Sequence, residues 1–236
     1  MAVRLQGLRF RWDAQSPAVL ALDSLTIAQG ERVFVEGPSG SGKSTLLALL
    51  AGVAVPEAGE LEVLGERLDR LSGVQRDHFR AHRIGYVFQQ FNLIPYLSMV
   101  ENVALPCRFS PRRRAAALRR SPTLEQEALR LLAHLDLGDP GLRARPVTAL
   151  SVGQQQRVAV ARALMGAPGL VIADEPTSAL DADRRESFLR LLFEECRESQ
   201  ATLVFVSHDA ALEGLFDRTI RLGEVNRAAV GGGAAG

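Results

Sequence analysis

Large apolar side chains spaced among polar ones open the chain: Val3, Leu5, Leu8, Phe10 and Trp12 predict a β-strand over Val3–Trp12. A second strand is expected over Val19–Ile27. A turn at Gly30-Glu31 then leads into the unbroken apolar run Val33-Phe34-Val35. Three strands ahead of the first helix point to an antiparallel sheet beside an α/β core. Gly59–Leu64 repeats the strand pattern and turns at Gly65-Glu66, whereas Leu71–His82 reads as a weak helix or an irregular segment. Ile84–Phe88 is apolar enough for a strand buried on both faces, and it ends at Gln89-Gln90.

Beyond Phe91 the period lengthens from two to between three and four. Leu97–Ala104 is helix-like and is punctuated by Pro106 and Pro111. Leu124–Leu135 is an amphipathic helix with Leu124, Ala128, Leu131, Leu132 and Leu135 on its apolar side, and Asp139-Pro140-Gly141 ends it. Residues from about 91 to 166 therefore read as a mostly helical insertion in the core. Ser151 is placed to cap a helix running through Gln154, Val158, Ala161 and Leu164, with Pro168 beyond its end. Leu170–Ala173 is a buried strand leading into Asp174-Glu175, and Asp183–Ser199 is a crossover helix. Ala201–Val206 is the parallel strand after it, ending at Ser207-His208. A helix over Ala210–Phe216 and an edge strand over Thr219–Leu222 complete the expectation, with 224–236 as a flexible tail.

The candidate chemistry centres on Gly37-Pro38-Ser39-Gly40-Ser41-Gly42-Lys43-Ser44-Thr45, between the third strand and the stretch Leu46–Leu50. Strand, glycine-rich turn and helix form the setting in which G-x-x-x-x-G-K-[ST] cradles phosphates. Its backbone N–H groups, from Ser39 through Thr45, point inward, and the helix adds its free amides and the positive end of its dipole. Lys43, the only lysine in the chain, reaches the β- and γ-phosphates, while the Ser44 hydroxyl can ligate Mg²⁺. Two adjacent acids after four apolar residues are costly in a core. With a phosphate turn present, Asp174 is the carboxylate on the Mg²⁺ side and Glu175 the group that polarises an attacking water. Gln89 and His208 leave strands at their carboxyl ends, where open α/β sheets meet ligands. Taken alone, Gln89 is equally a surface amide. Trp12 is either a purine-stacking aromatic or a half-buried sheet residue. The arginines at 108, 112, 113, 114, 119 and 120 suit a solvated helix face or a loop better than an anionic lipid surface.

Composition narrows the class without changing that picture. A chain of 236 residues buries a substantial core, and a net charge of +1 speaks against a strongly basic nucleic-acid binder. The longest apolar stretch, Leu46–Val55, falls well short of the roughly 20 residues a membrane helix needs. Charged residues at Arg4, Arg9 and Arg11 precede no apolar signal-peptide core. Cys107 and Cys196 lie far apart and outside any metal-ligand spacing, which suggests a reduced compartment without structural zinc.

The motifs together resemble the nucleotide-binding subunit of ATP-binding cassette transporters, from about Val3 to Gly223. Leu150-Ser151-Val152-Gly153-Gln154-Gln155-Gln156-Arg157 is similar to that family's signature segment, and Leu170–Pro176 to its Walker B strand. Ser178-Ala179-Leu180-Asp181 is similar to the D-loop, Gln89 to the Q-loop glutamine, His208 to the switch histidine and Trp12 to the adenine-stacking aromatic. The resemblance implies an α/β P-loop NTPase core with an antiparallel β subdomain and an inserted α-helical subdomain, spanning 1–223. It implies ATP and Mg²⁺ as cofactors, with the metal at Ser44, Gln89 and Asp174. Glu175, His208, Gln89 and Lys43 would be catalytic, and Trp12, Ser39–Thr45, Ser151, Gly153, Gln154 and Asp181 would hold nucleotide. Val152 departs from the family pattern, standing where most members carry the first of two glycines. It can still offer its N–H if its φ is negative, but it adds stiffness.

A head-to-tail pair of copies is implied, with each nucleotide between one copy's phosphate turn and the other's signature segment. The implied partners are a separate transmembrane permease, a second copy of the chain and, through the permease, a periplasmic adaptor; nucleic acid is not expected. The place implied is the cytoplasm, peripheral to the inner face of the cell membrane. Gln90–Pro95 and Glu101–Pro106 look most like the subset serving lipoprotein release, macrolide or glycolipid export, and a cell-division relative. The first stretch also occurs in amino-acid importers. A membrane-recruited division scaffold without transport is the alternative function.

Overall fold

The structure, a computed structural model, describes residues 1–143, 145–177 and 182–228. In chain order its elements are β1 (Val3–Phe10), β2 (Leu20–Ile27), β3 (Arg32–Glu36), α1 (Lys43–Leu50), β4 (Ala58–Val63), β5 (Glu66–Arg67), α2 (Gly73–Arg83) and β6 (Ile84–Val87). There follow α3 (Met99–Ala104), α4 (Pro106–Phe109), α5 (Pro111–Arg120), α6 (Leu124–His134), α7 (Val152–Leu164), β7 (Leu170–Asp174), α8 (Ala182–Ser199), β8 (Thr202–Val206), β9 (Arg218–Arg221) and α9 (Leu222–Val225). The chain forms two compact units, one of Met1–Arg80 together with the chain from Thr202 onward, the other of Ala81–Ala201.

In the first unit β1 lies between β2 and β4, antiparallel to both, with β5 beyond β4. The β1–β2 register sets Leu5 against Leu25 and Leu8 against Leu22. Each buried set shifts phase in mid-strand, from Val3 and Leu5 to Leu8 and Phe10. The cause is an irregularity in the β1–β4 ladder between Gln6 and Arg9, since an inserted residue moves every later side chain to the other face. Gly59 makes it possible: it has φ +90, and a Cβ there would stand 2.4 Å from the Gly7 carbonyl oxygen. The same unit holds a parallel set in which β3 pairs with β8 on one side and β9 on the other. Val33, Phe34 and Val35 are fully buried, the continuous apolar run that a central parallel strand requires. Phe34, Phe205 and Phe216 pack as an aromatic cluster, with ring centroids 5.1 to 6.3 Å apart. The expected helix at 210–216 is a 3₁₀ helix over Ala210–Leu215, opened by the Asp209 side chain.

In the second unit β6 and β7 pair in parallel, Ile84 beside Leu170 and Val87 beside Ala173. The helical chain from α3 to α7 packs α3 against α6 and α7. Met99, Val103, Ala128, Leu131, Leu132, Val158 and Ala161 are buried there. Pro106 and Pro111 do not interrupt one helix; each begins one, at the position where a missing N–H costs nothing. Ser110 caps α5 and Thr123 caps α6.

The arginine cluster is not uniformly solvated. Arg113 is 4 % exposed and donates to the carbonyls of Met165 at 2.7 Å, Ala163 at 2.5 Å and Ile84 at 3.2 Å. Burial pushes its pKa down to about 10, so it stays charged at neutral pH, held by carbonyls that include the last of α7. Arg120 pairs with Glu198 at 2.8 Å, whereas residues 108, 112, 114 and 119 are exposed. Structure also continues past the point where the sequence suggested a flexible tail: α9 crosses residue 224 and Asn226 is buried. Residues 229–236 lie outside the described residues.

Candidate functional site

The phosphate turn leaves β3 at Glu36 and enters α1 at Lys43. Gly42, the residue before the helix, has φ +98, and a Cβ there would meet Leu20 Cδ2 at 2.7 Å, so this position is restricted to glycine twice over. No side chain caps α1, and its first turn carries no acid. The free amides of that turn are therefore not satisfied by a side-chain cap. Lys43 is 8 % exposed, and its Nζ donates to the carbonyls of Gly37 at 2.6 Å and Pro38 at 3.0 Å. The buried Ser41 hydroxyl has no hydrogen-bond partner among the described residues. An uncapped helix start, a curled lysine and an unpartnered buried hydroxyl fit a polyanionic phosphate group, which accepts from N–H, ammonium and hydroxyl alike. Ser39, Gly40 and Ser44 are exposed at this turn, so the Ser44 hydroxyl is open to a metal; Thr45 is buried behind them.

Two further expected residues stand with this turn in the first unit. Trp12 lies past the end of β1 and is 62 % exposed, not the half-buried sheet residue that strand propensity suggests. Its ring sits edge-on to Phe10, centroids 4.9 Å apart, and its Nε1 donates to Thr45 Oγ1 at 3.2 Å. A flat indole face is thus tethered to the helix that follows the phosphate turn. His208 is exposed after β8 and lines a cavity of about 390 Å³ with Glu36, Gly37, Pro38 and Arg221.

The second unit gathers the other group. β6 and β7 run side by side and release Gln89 and the Asp174-Glu175 pair at the same, carboxyl edge. Gln89 is exposed in a turn, and Asp174 and Glu175 are half-buried. Burial first, and the Asp174 carboxylate second, push the neighbouring Tyr86 phenol up, which keeps it protonated. Glu175 has φ +47, a left-handed backbone that is uncommon for a non-glycine residue and recurs at functional positions. Ser151 caps α7 through a capping box: its Oγ accepts from Gln154 N at 3.3 Å, and Gln154 Oε1 accepts from Ser151 N at 2.9 Å. The hydroxyl acts there as acceptor, so its hydrogen remains to donate outward. Val152 is the first residue of α7 and 55 % exposed, and Gly153 follows within the helical turn. Valine at 152 therefore takes up the backbone that leaves its N–H available. Asp181, with Ser178, Ala179 and Leu180, lies outside the described residues.

Two side chains at these sites escaped sequence reading. Arg162 on α7 donates to the carbonyls of Phe91 and Asn92, each at 2.6 Å, and so holds the loop after Gln89, where both residues have positive φ. Asn226 donates to the Ser41 carbonyl at 3.0 Å. Arg162 has the spacing of an ordinary helix residue, and Asn226 sits in a stretch composed like a tail, so neither carries a local signal.

The ABC transporter family model matches residues 20–178. The lipoprotein-releasing system ATP-binding protein LolD of Xanthomonas oryzae pv. oryzae (strain MAFF 311018) is 40% identical over 208 residues, which cover 88% of this chain and 81% of the relative. The uncharacterized ABC transporter ATP-binding protein YbbA of Escherichia coli K12 is 42% identical over 207 residues, 87% of this chain and 86% of the relative. The dimeric structure of MJ0796, a bacterial ABC transporter cassette, superposes with a TM-score of 0.79 at 33% identity, covering 94% of this chain and 95% of that one. A second dimeric MJ0796 structure, in a post-hydrolysis state bound to ADP and Pi, gives 0.75 at 34% identity. Family model, relatives and fold likeness thus agree over most of the chain: it belongs to the ABC transporter family.

Proposed function

We propose that this chain binds Mg-ATP at the 37–45 turn and hydrolyses it to drive a separate membrane permease. The observation that carries the reading is the turn itself, an uncapped helix start with Lys43 folded over it and the Ser41 hydroxyl buried without a hydrogen-bond partner among the described residues. Lys43 and the amides from Ser39 to Thr45 bind the phosphates, and Trp12 presents its face to the adenine. By the family resemblance, Ser44, Asp174 and Gln89 would hold Mg²⁺, which would supply charge neutralisation at the phosphate oxygens. Glu175 orients a water in line with the γ-phosphorus and takes its proton as the bond to the β-phosphate oxygen breaks. His208 contacts the γ-phosphate. Ser151, Gly153 and Gln154 serve the nucleotide held by a second copy, and Asp181 belongs to the seam between the copies.

The partner chemistry follows from the same family. No helix among the described residues is long and apolar enough to cross a membrane, and we assign the transport path to a separate permease. We place the ATPase in the cytoplasm against the inner face of the membrane, paired with a permease of the exporting or extracting kind. The likeness to a lipoprotein-releasing ATP-binding protein supports that choice. A periplasmic adaptor joins through the permease.

Replacing Glu175 with Gln tests the chemistry. ATP binding is expected to persist while turnover falls at least about a hundredfold, as loss of a general base requires. Undiminished hydrolysis in Glu175→Gln would remove the assignment.

A further inference from the structure

Asn226 follows α9 and is 2 % exposed. Its Oδ1 accepts from the N–H of Ala21 at 2.9 Å and of Ala228 at 3.1 Å. Its Nδ2 donates to the carbonyls of Val19 at 2.8 Å and Ser41 at 3.0 Å. Two donors and two acceptor positions are the whole capacity of an asparagine amide, so every one is used. Two N–H groups on one side and two carbonyls on the other also fix which end of the amide is oxygen.

The partners join two segments that already touch. Where Gly42 lacks a Cβ, the space is filled by Leu20 Cδ2, 2.7 Å from the place a Cβ would take, with the Val19 carbonyl 3.2 Å away. Asn226 fastens Val19 and Ala21, on either side of that contact, to Ser41. In a trans peptide the C=O and the next N–H point in opposite directions. Pinning the Ser41 carbonyl on Asn226 Nδ2 therefore aims the Gly42 N–H away from Asn226, and rotation of that peptide is resisted.

We propose that Asn226 is a positioning residue for nucleotide binding, an amide latch from the C-terminal segment that sets the Ser41–Gly42 peptide of the phosphate turn. The inference rests on the reading of that turn as the ATP site. Asparagine is required in chemistry and not only in size. Aspartate keeps the shape and both acceptor contacts but sets a carboxylate against the Val19 and Ser41 carbonyls.

The test compares full-length wild type with Asn226→Asp, Asn226→Ser, Arg227→Ala and Lys43→Ala. ATP dissociation constants, kcat and KM are read at a temperature well below each variant's melting point. Asn226→Asp is expected to weaken ATP binding about tenfold or more and to raise KM for ATP by a similar factor, with kcat at saturation changed less. Asn226→Ser, which keeps one hydroxyl donor, should fall between it and wild type, and it serves if the aspartate variant does not fold. Arg227→Ala removes the neighbouring ion pair to Asp23 and should leave ATP affinity unchanged. Amide hydrogen exchange at Gly42 gives a readout that mere loss of stability would not confine there: it should quicken in Asn226→Asp while the β1–β2 ladder stays protected. Folded Asn226 variants that bind ATP within twofold of wild type would overturn the latch, even with lowered melting points. If Lys43→Ala bound ATP normally, the fault would lie in the reading of the turn.

Discussion

Trp12 shows how a single side chain links two elements of the candidate nucleotide site. Its indole is 62 % exposed, rests edge-on against Phe10, and is tied through Nε1 to Thr45, two residues past Lys43. An aromatic stacked on a base contributes about 1–3 kcal/mol. Trp12→Ala should accordingly weaken ATP binding about tenfold, and Trp12→Tyr should recover most of the loss because it restores the stacking face. Trp12 is the only tryptophan in the chain, so its fluorescence reports occupancy directly in a titration. Equal ATP affinity in Trp12→Ala and wild type would show that the adenine sits elsewhere. Glu175 is a different case at the same scale: its left-handed backbone is disfavoured for a residue with a Cβ, and the conformation survives only because its surroundings impose it.

At the scale of elements, α7 is held at both ends. Its N-terminus carries the Ser151–Gln154 capping box, and its C-terminal carbonyls receive the Arg113 guanidinium from α5. Along the helix, Arg162 ties it to the loop after Gln89, so movement of either element is felt by the other. A second device joins α6 to α8. Arg130 bridges Glu127 and Glu195, and His134 bonds Glu195 through Nδ1 and Glu194 through Nε2 at 3.2 Å. The bond to Glu195 is the main cause holding the His134 pKa above its usual 6.5, with the charge of Glu195 and the nearby Glu194 and Glu198 adding to it. A raised histidine pKa stabilises the fold fully below the unfolded value and loses that contribution as pH rises through the folded one. The wild type should therefore lose melting temperature relative to His134→Gln as pH rises above about 6.5, and the variant's curve should be flatter. Thermal melts of the two proteins as pH is raised check it, and parallel curves would show that His134 is not protonated in the fold.

On the scale of the whole molecule, the candidate residues fall in two groups. Lys43, Ser44, Trp12 and His208 belong to one unit; Gln89, Ser151, Asp174 and Glu175 belong to the other. The related MJ0796 cassette forms dimers, and in the proposed pairing of two copies each Ser151 would serve the nucleotide of the other. Closure then depends on ATP and Mg²⁺ by mass action, so the isolated chain should be mainly monomeric without nucleotide. Glu175→Gln with ATP should sediment as a dimer, since blocked hydrolysis keeps the ligand in place. Adding Ser151→Arg should return it to monomer while each chain still binds ATP, because the arginine crowds only the partner's side of the site. Dimers as tight in the double variant as in the single one would contradict the shared site, and Val152 would then be the first residue to exchange for glycine.

The elements that carry the candidate site residues were set locally, within a few residues, and the sequence alone determined them. Val33-Phe34-Val35 followed by the glycine-rich turn and Lys43, the run Leu170–Ala173 ahead of two acids, and Ser151 three residues before Gln154 are patterns that can each be read within one strand and its turn or within one helical turn. Why Val3, Leu5, Leu8 and Phe10 can all face inward despite their broken alternation was not legible, because the phase shift at Gln6–Arg9 is a property of the β1–β4 ladder. Trp12 and Arg113 make the same point for side chains. An aromatic at the end of a strand and one arginine among six have no local mark of exposure or burial, and only packing leaves the first in solvent and seats the second among carbonyls. Asn226 is the extreme case. It meets Ser41 across a separation of 185 residues, and a contact of that range exists only once the β2 entry, the phosphate turn and the chain end have been brought to one place by the fold.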